Sequence, residues 1–174
     1  MSLAPVREAL AVLEQEGQLT YRPRRGYFVT ELDLDDLCEI YDLRRLVEAR
    51  AARGALPQLD GDAHERIELA AEDCEAAVKR GDVTAELEAN RRFHFALMEA
   101  PDQIHTMRVV RLLWDSTETY RALYYNDPAD RVDSLEAHAR IIDAVKAGDA
   151  DALVAELDAH REAALDRLAE FLPG

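Results

Sequence analysis

The 174 residues are enough to bury a substantial core, and two cysteines are too few for a disulfide framework. No apolar run approaches the length of a membrane span and the start lacks a signal-peptide pattern, so the expectation is a cytoplasmic protein with no membrane partner. The net charge of −15 excludes nucleic-acid binding by most of the surface: residues 1–31 hold four arginines and four glutamates, and the whole acidic excess lies in residues 32–174.

In chain order, Pro5 at a first-turn position, then Val6, Leu10 and Leu13 on one face and Gly17 as a stop, predict a helix over 4–16. Leu19-Thr20-Tyr21 and Tyr27-Phe28-Val29 are β-favouring runs around Arg22-Pro23-Arg24-Arg25-Gly26, a hairpin with a basic tip. The rest reads as helix. Asp33 caps a long helix to about Arg53, closed by Gly54, and further helices run near 62–80, 83–100, 102–125, 131–147 and 149–171. Gly81-Asp82 and Gly148-Asp149 are glycine stops followed by aspartate caps, and Pro101 and Pro128 mark the other breaks. The expected fold is mainly α: a six-helix antiparallel bundle preceded by one helix and a β-hairpin. The domains are 1–31 and 32–174. Cys38 and Cys74 fall within helical patterns and read as small buried residues.

Core-facing stripes can be read at steps of three and four. In the helix near 83–100 the stripe is Leu87, Asn90, His94, Leu97 and Met98. In 131–147 it is Leu135, His138, Ile142 and Val145; in 149–171 it is Leu153, Leu157, His160, Ala164, Leu168 and Phe171. An amide and three imidazoles thus replace apolar residues on inward faces, and Asn90 and His94, four apart, reach one point from one helix. Each histidine alone would be a core residue bonded to a carbonyl or carboxylate. Three in phase with an asparagine are expected to meet as ligands of a divalent metal ion: zinc, with nickel and manganese also compatible. His64 and His105 are weaker candidates, off the stripe or ambiguous in phase.

Pro5-Val6-Arg7-Glu8-Ala9-Leu10, Leu13, Glu16-Gly17 and Arg22-Pro23-Arg24-Arg25-Gly26-Tyr27-Phe28-Val29 together resemble the end of a GntR-type winged helix-turn-helix. The helical remainder resembles the FCD-type, ligand-sensing C-terminal domain of the FadR subfamily. There an Asp or Asn precedes a His by four residues, and one His follows in each of the last two helices; Asn90, His94, His138 and His160 match. The resemblance implies a DNA-binding transcription regulator that works as a homodimer on a two-fold operator, its sensor domain holding a metal and a small carboxylate effector. It implies that Arg7 faces DNA from the recognition helix and that Arg24, Arg25 and Gly26 form the wing tip. Arg44 matches an arginine that can face the effector cavity; its plainer role is an ion pair with Glu48 at i+4, and Arg45 is its competitor. There are departures. The winged domain of the family starts two helices earlier, so the chain is expected to be a truncated regulator that binds DNA weakly. Leu3 and Ala4 stand where Arg and Thr are frequent, and Asn90 where a carboxylate is commoner.

Two other functions compete. Three histidines and a weak fourth ligand leave coordination positions open, as in a metalloenzyme, but no Asp or Glu is expected on the core stripes of the ligand helices as a general base. A closed site would make the metal purely structural.

Overall fold

Aspartates start four of the helices and left-handed glycines end two of them. The computed structural model describes residues 3–31, 33–100, 102–125 and 128–172, so Pro101 lies outside the described residues. Helix α1 is Ala4–Gln15; strands β1, Leu19–Arg22, and β2, Gly26–Val29, pair antiparallel with Leu19 opposite Val29 and Arg22 opposite Gly26. At the tip, Arg24 and Gly26 both take positive φ, 65° and 95°. Tyr21 and Tyr27 pack ring to ring at 5.0 Å, and the Arg22 guanidinium lies over Phe28. Helix α1 buries no residue: Leu10 and Leu13 are half-buried, whereas Val6 is exposed.

The bundle follows as α2 (Leu34–Ala55), a 3-10 turn (Leu56–Gln58), α3 (Gly61–Arg80), α4 (Val83–Met98), α5 (Ile104–Tyr124), α6 (Pro128–Ala147) and α7 (Ala150–Ala169). Asp33, Asp60, Asp82 and Asp149 each accept hydrogen bonds from backbone N–H groups of the following first turn, supplying partners those groups lack within the helix. Gly81 and Gly148, at φ 68° and 65°, end α3 and α6 in the left-handed conformation that costs glycine least. The expected stop at Gly54 is corrected: α2 runs through it to Ala55. Its lack of a side chain serves packing instead, because a Cβ there would come within 2.8 Å of the Gln103 amide. That amide donates to the Ala51 carbonyl at 2.8 Å, tying the start of α5 to α2.

Helix α3 lies along α4, α2 packs on α5 and α7, and α6 on α7. One apolar cluster is built around Phe93, Leu97, Val110, Trp114, Ile141 and Leu153. A smaller one gathers Leu37, Tyr41, Tyr125 and Leu168. Buried polar side chains sit between them. Two stripe positions are corrected: Ile141, not Ile142, is fully buried on α6, and Phe171 is exposed. Cys74 is buried as expected, but Cys38 is exposed on the outer face of α2.

Candidate metal centre

Helix α4 points Asn90 and His94 inward one turn apart, both buried at 4% exposure. Helices α6 and α7 bring His138 and His160 against them. The three imidazole centroids form a nearly equilateral triangle: 5.4 Å from His94 to His138, 5.1 Å from His94 to His160 and 5.1 Å from His138 to His160. One ring nitrogen from each lies within 4.8 Å of the others. Phe93 packs on His138 and Trp114 on His94, walling the triangle with aromatic surface.

The polar atoms here lack the partners that buried groups ordinarily have. Asn90 Oδ1, His94 Nδ1 and both nitrogens of His138 are buried with no hydrogen bond. Burial is the first reason all three imidazoles are held neutral. His94 is pushed down further by His160, His138, Arg44 and Arg121, and His138 by His160. His160 is pushed down to about 4 by burial and by the Arg161 and Arg44 charges, against the weaker pull of Glu48. Neutral imidazoles with free lone pairs and an unpaired amide oxygen are the donor set of a divalent transition ion, so the residues fit such a group. His64 is half-buried and His105 exposed, and neither joins the triangle.

Beside the triangle lies a cavity of about 40 Å³, lined in part by Asn90, His94, His160, Tyr41, Trp114 and Tyr125. Arg44 also lines it, while Arg45 is exposed. Arg44 does form the i+4 pair with Glu48, Nε to Oε1 at 2.7 Å. Glu48 is 2% exposed and accepts two more bonds, from Trp114 Nε1 at 2.7 Å and from Arg161 Nη2 at 2.8 Å. Burial alone would raise its carboxyl, but the Arg44 and Arg161 charges and hydrogen bonds outweigh burial and hold it low. Trp114 also has the guanidiniums of Arg44 and Arg121 over its ring, at 4.4 and 4.0 Å. The sequence reading missed Glu48's central role, Arg161 and Arg121. The signal for Arg121 was present: Val110, Trp114, Thr117 and Arg121 follow one another in steps of three and four, and all are buried.

A carboxylate does occupy the buried face of a ligand helix, contrary to expectation: Glu86 on α4 is 2% exposed. It receives a 2.6 Å hydrogen bond from Arg131 Nε and is not among the residues lining the cavity. The residues expected to meet DNA lie elsewhere. Arg7 is exposed on α1, Arg24 and Arg25 are exposed at the hairpin tip, and Gly26 opens β2.

A β-hairpin is thus followed by an all-α bundle with a cavity beside its histidines. The FCD domain model matches residues 39–163, and the chain belongs to that family, as a GntR-type transcriptional regulator. It is 31% identical over 180 residues to the HTH-type transcriptional regulator BphR of Paraburkholderia xenovorans (strain LB400), covering 95% of this chain and 70% of that one. It is 28% identical to YdhC of Bacillus subtilis (strain 168), another HTH-type transcriptional regulator, over 92% of this chain and 72% of that one. Its fold matches the solved structure of McbR from E. coli with a TM-score of 0.90 at 24% identity, covering 98% of this chain and 82% of that one. The protein is therefore a regulator and not an enzyme. Among the described residues no helix is long and apolar enough to cross a membrane.

Proposed function

We propose that the bundle holds one divalent metal ion, zinc in the first instance, on Asn90, His94, His138 and His160, and that a small organic acid binding at that ion is the signal the regulator reads. The observation that carries this is the histidine triangle itself: three imidazoles whose ring nitrogens converge, with Asn90 Oδ1, His94 Nδ1 and both nitrogens of His138 buried and without hydrogen-bond partners. Leaving such groups unsatisfied costs roughly 1–3 kcal/mol each, which a metal would relieve. The ion would act as a Lewis-acid anchor for an anionic oxygen. With no carboxylate among its protein ligands it keeps its full charge in a low-dielectric setting, which favours an anion as the further ligand. Arg44 on the cavity wall adds positive charge from the side.

Output is through DNA. Arg7 on the recognition helix and Arg24, Arg25 and Gly26 at the wing tip are the contacts, drawn from the one part of the sequence free of excess acid. A homodimer would present two such units to symmetric half-sites. Leu43 and Leu46 on α2, with Val109 and Leu112 on α5, are exposed on two helices that pack together and offer apolar surface for it.

Metal analysis and thermal melting of the wild type beside His138→Ala and His160→Ala test the reading. One ion per chain is expected, with metal content and melting temperature falling together in both variants. Metal-free preparations from chelator-free purification, with identical melting curves before and after adding zinc, nickel or manganese, would overturn it.

A further inference from the structure

Arg121 is a buried cation without a proper counter-ion. Its residue is 7% exposed, and its Nε and Nη1 are buried with no hydrogen-bond partner. Among the described residues, the remaining terminal nitrogen, Nη2, reaches only Glu118 Oε2, at 3.5 Å, on a carboxylate that is itself half in solvent. The contrast with its neighbours is sharp. Arg161 pairs through both terminal nitrogens, with Glu48 at 2.8 Å and Asp158 at 2.6 Å, leaving only its Nε without a partner, and Arg131 pairs with Glu86 at 2.6 Å. Arg44 shares the single carboxylate of Glu48. Arg121 lines the same cavity as Arg44 and lies with it over the Trp114 ring, which in turn packs on His94 at 5.2 Å. Among the described residues lining that cavity, Glu48 alone carries negative charge, against Arg44, Arg121 and Arg161. Tyr41, whose buried hydroxyl also lacks a partner, lines it too. A planar guanidinium fork with free donors matches a carboxylate or phosphate oxygen pair and does not match a neutral group.

We propose that the effector is a compact dianion: one acidic group lies at the histidine-bound metal and the second, a carboxylate or a phosphate, is gripped by Arg121 across the Trp114 ring. The cavity, with room for about three waters, restricts the linker to a short carbon chain. This deepens the reading above and rests on it for the first acidic group only. Arg121 is a positioning and specificity residue: it separates a diacid from the monoacid of equal length.

The test is calorimetric titration of the metal-loaded protein with two matched pairs, succinate against butyrate and phosphoglycolate against glycolate. The wild type is expected to bind the dianion of at least one pair ten- to a hundredfold more tightly than its monoanion, the scale of one charge-assisted hydrogen-bond pair. The pair that discriminates identifies the second group. Arg121→Gln should reduce that advantage to less than about threefold, weakening the dianion far more than the monoanion. It should also melt no lower than the wild type without ligand, since it removes an unpaired buried charge and breaks no strong bond. Equal affinities within both pairs in the wild type would overturn the proposal, and so would an Arg121→Gln protein that weakens monoanion and dianion alike. Metal-stripped protein separates the two readings. Dianion binding that survives stripping but still needs Arg121 removes the metal anchor and leaves Arg121's role standing.

Discussion

Glu48→Gln is the substitution whose effect the structure specifies most closely. The carboxylate is 2% exposed and accepts from Arg44 on its own helix, from Trp114 on α5 and from Arg161 on α7, at 2.7, 2.7 and 2.8 Å. Glutamine has nearly the same shape, so packing is preserved. Its neutral amide can accept on one side only and turns an N–H₂ group towards a guanidinium on the other. With the amide oxygen in the Oε1 position the Arg44 and Trp114 bonds are kept and the Arg161 bond is lost; removing the charge from a buried ion pair in this way costs about 3–5 kcal/mol. For a chain of this size a kcal/mol moves the melting temperature by about 2–4 °C, so a fall of about 10–15 °C is expected at pH 7. The pH dependence has a definite sign. The folded-state value of the Glu48 carboxyl is held below its unfolded one, so its stabilisation is complete above the usual carboxylate range and is lost as pH falls through the lowered value. The gap between wild type and variant should therefore narrow in acid. Binding moves the other way: with the negative charge of Glu48 on the cavity wall neutralised, succinate should bind more tightly. Urea unfolding at pH 7 and pH 4 with calorimetric titration measures all three. A stability loss under about 1 kcal/mol at pH 7, or a gap that widens in acid, would refute the reasoning.

Gly54→Ala should destabilise by about 1–3 kcal/mol in thermal unfolding, because the new Cβ would displace the Gln103 amide from Ala51. Helix propensity alone gives the opposite sign, a gain of about 1 kcal/mol. Native protein should present one fast-reacting thiol at pH 8 and two after denaturation: Cys38 is exposed, whereas burial and the Glu86 charge push the Cys74 thiol up to about 12. Asn90→Asp should tighten metal binding and weaken succinate binding, both read by calorimetry, since the added charge competes with the effector for the same ion.

Elements that announce themselves through local chemistry were legible in the sequence. Asp33, Asp82 and Asp149 as caps and Gly81 and Gly148 as stops set helix ends within a few residues, because capping is satisfied by side chains next in the chain. The histidines were legible for the same reason: phase along one helix says which face is inside. Gly54 was misread because its role depends on Gln103, a long-range contact that local rules cannot register. Glu48 was foreseen only as the i+4 partner of Arg44. Its bonds to Trp114 and Arg161 come from two other helices, and the pair is buried where an i+4 pair is ordinarily solvated. Ile142 was preferred to Ile141 because adjacent isoleucines leave the phase of α6 undecided by one residue, about 100° or little more than a quarter turn.

The histidine triangle draws its corners from α4, α6 and α7, so the order of synthesis becomes part of its character. Translation delivers the hairpin before the bundle, and His160 on α7 after His94 and His138. Until α7 has docked, two corners exist without the third and nothing can close around an ion. Any ligand held there binds only the completed bundle and stabilises it by mass action, about 2.7 kcal/mol at a hundredfold excess over Kd. A chain stalled before α7 would carry the hairpin yet lack the third histidine, and with it the site proposed above.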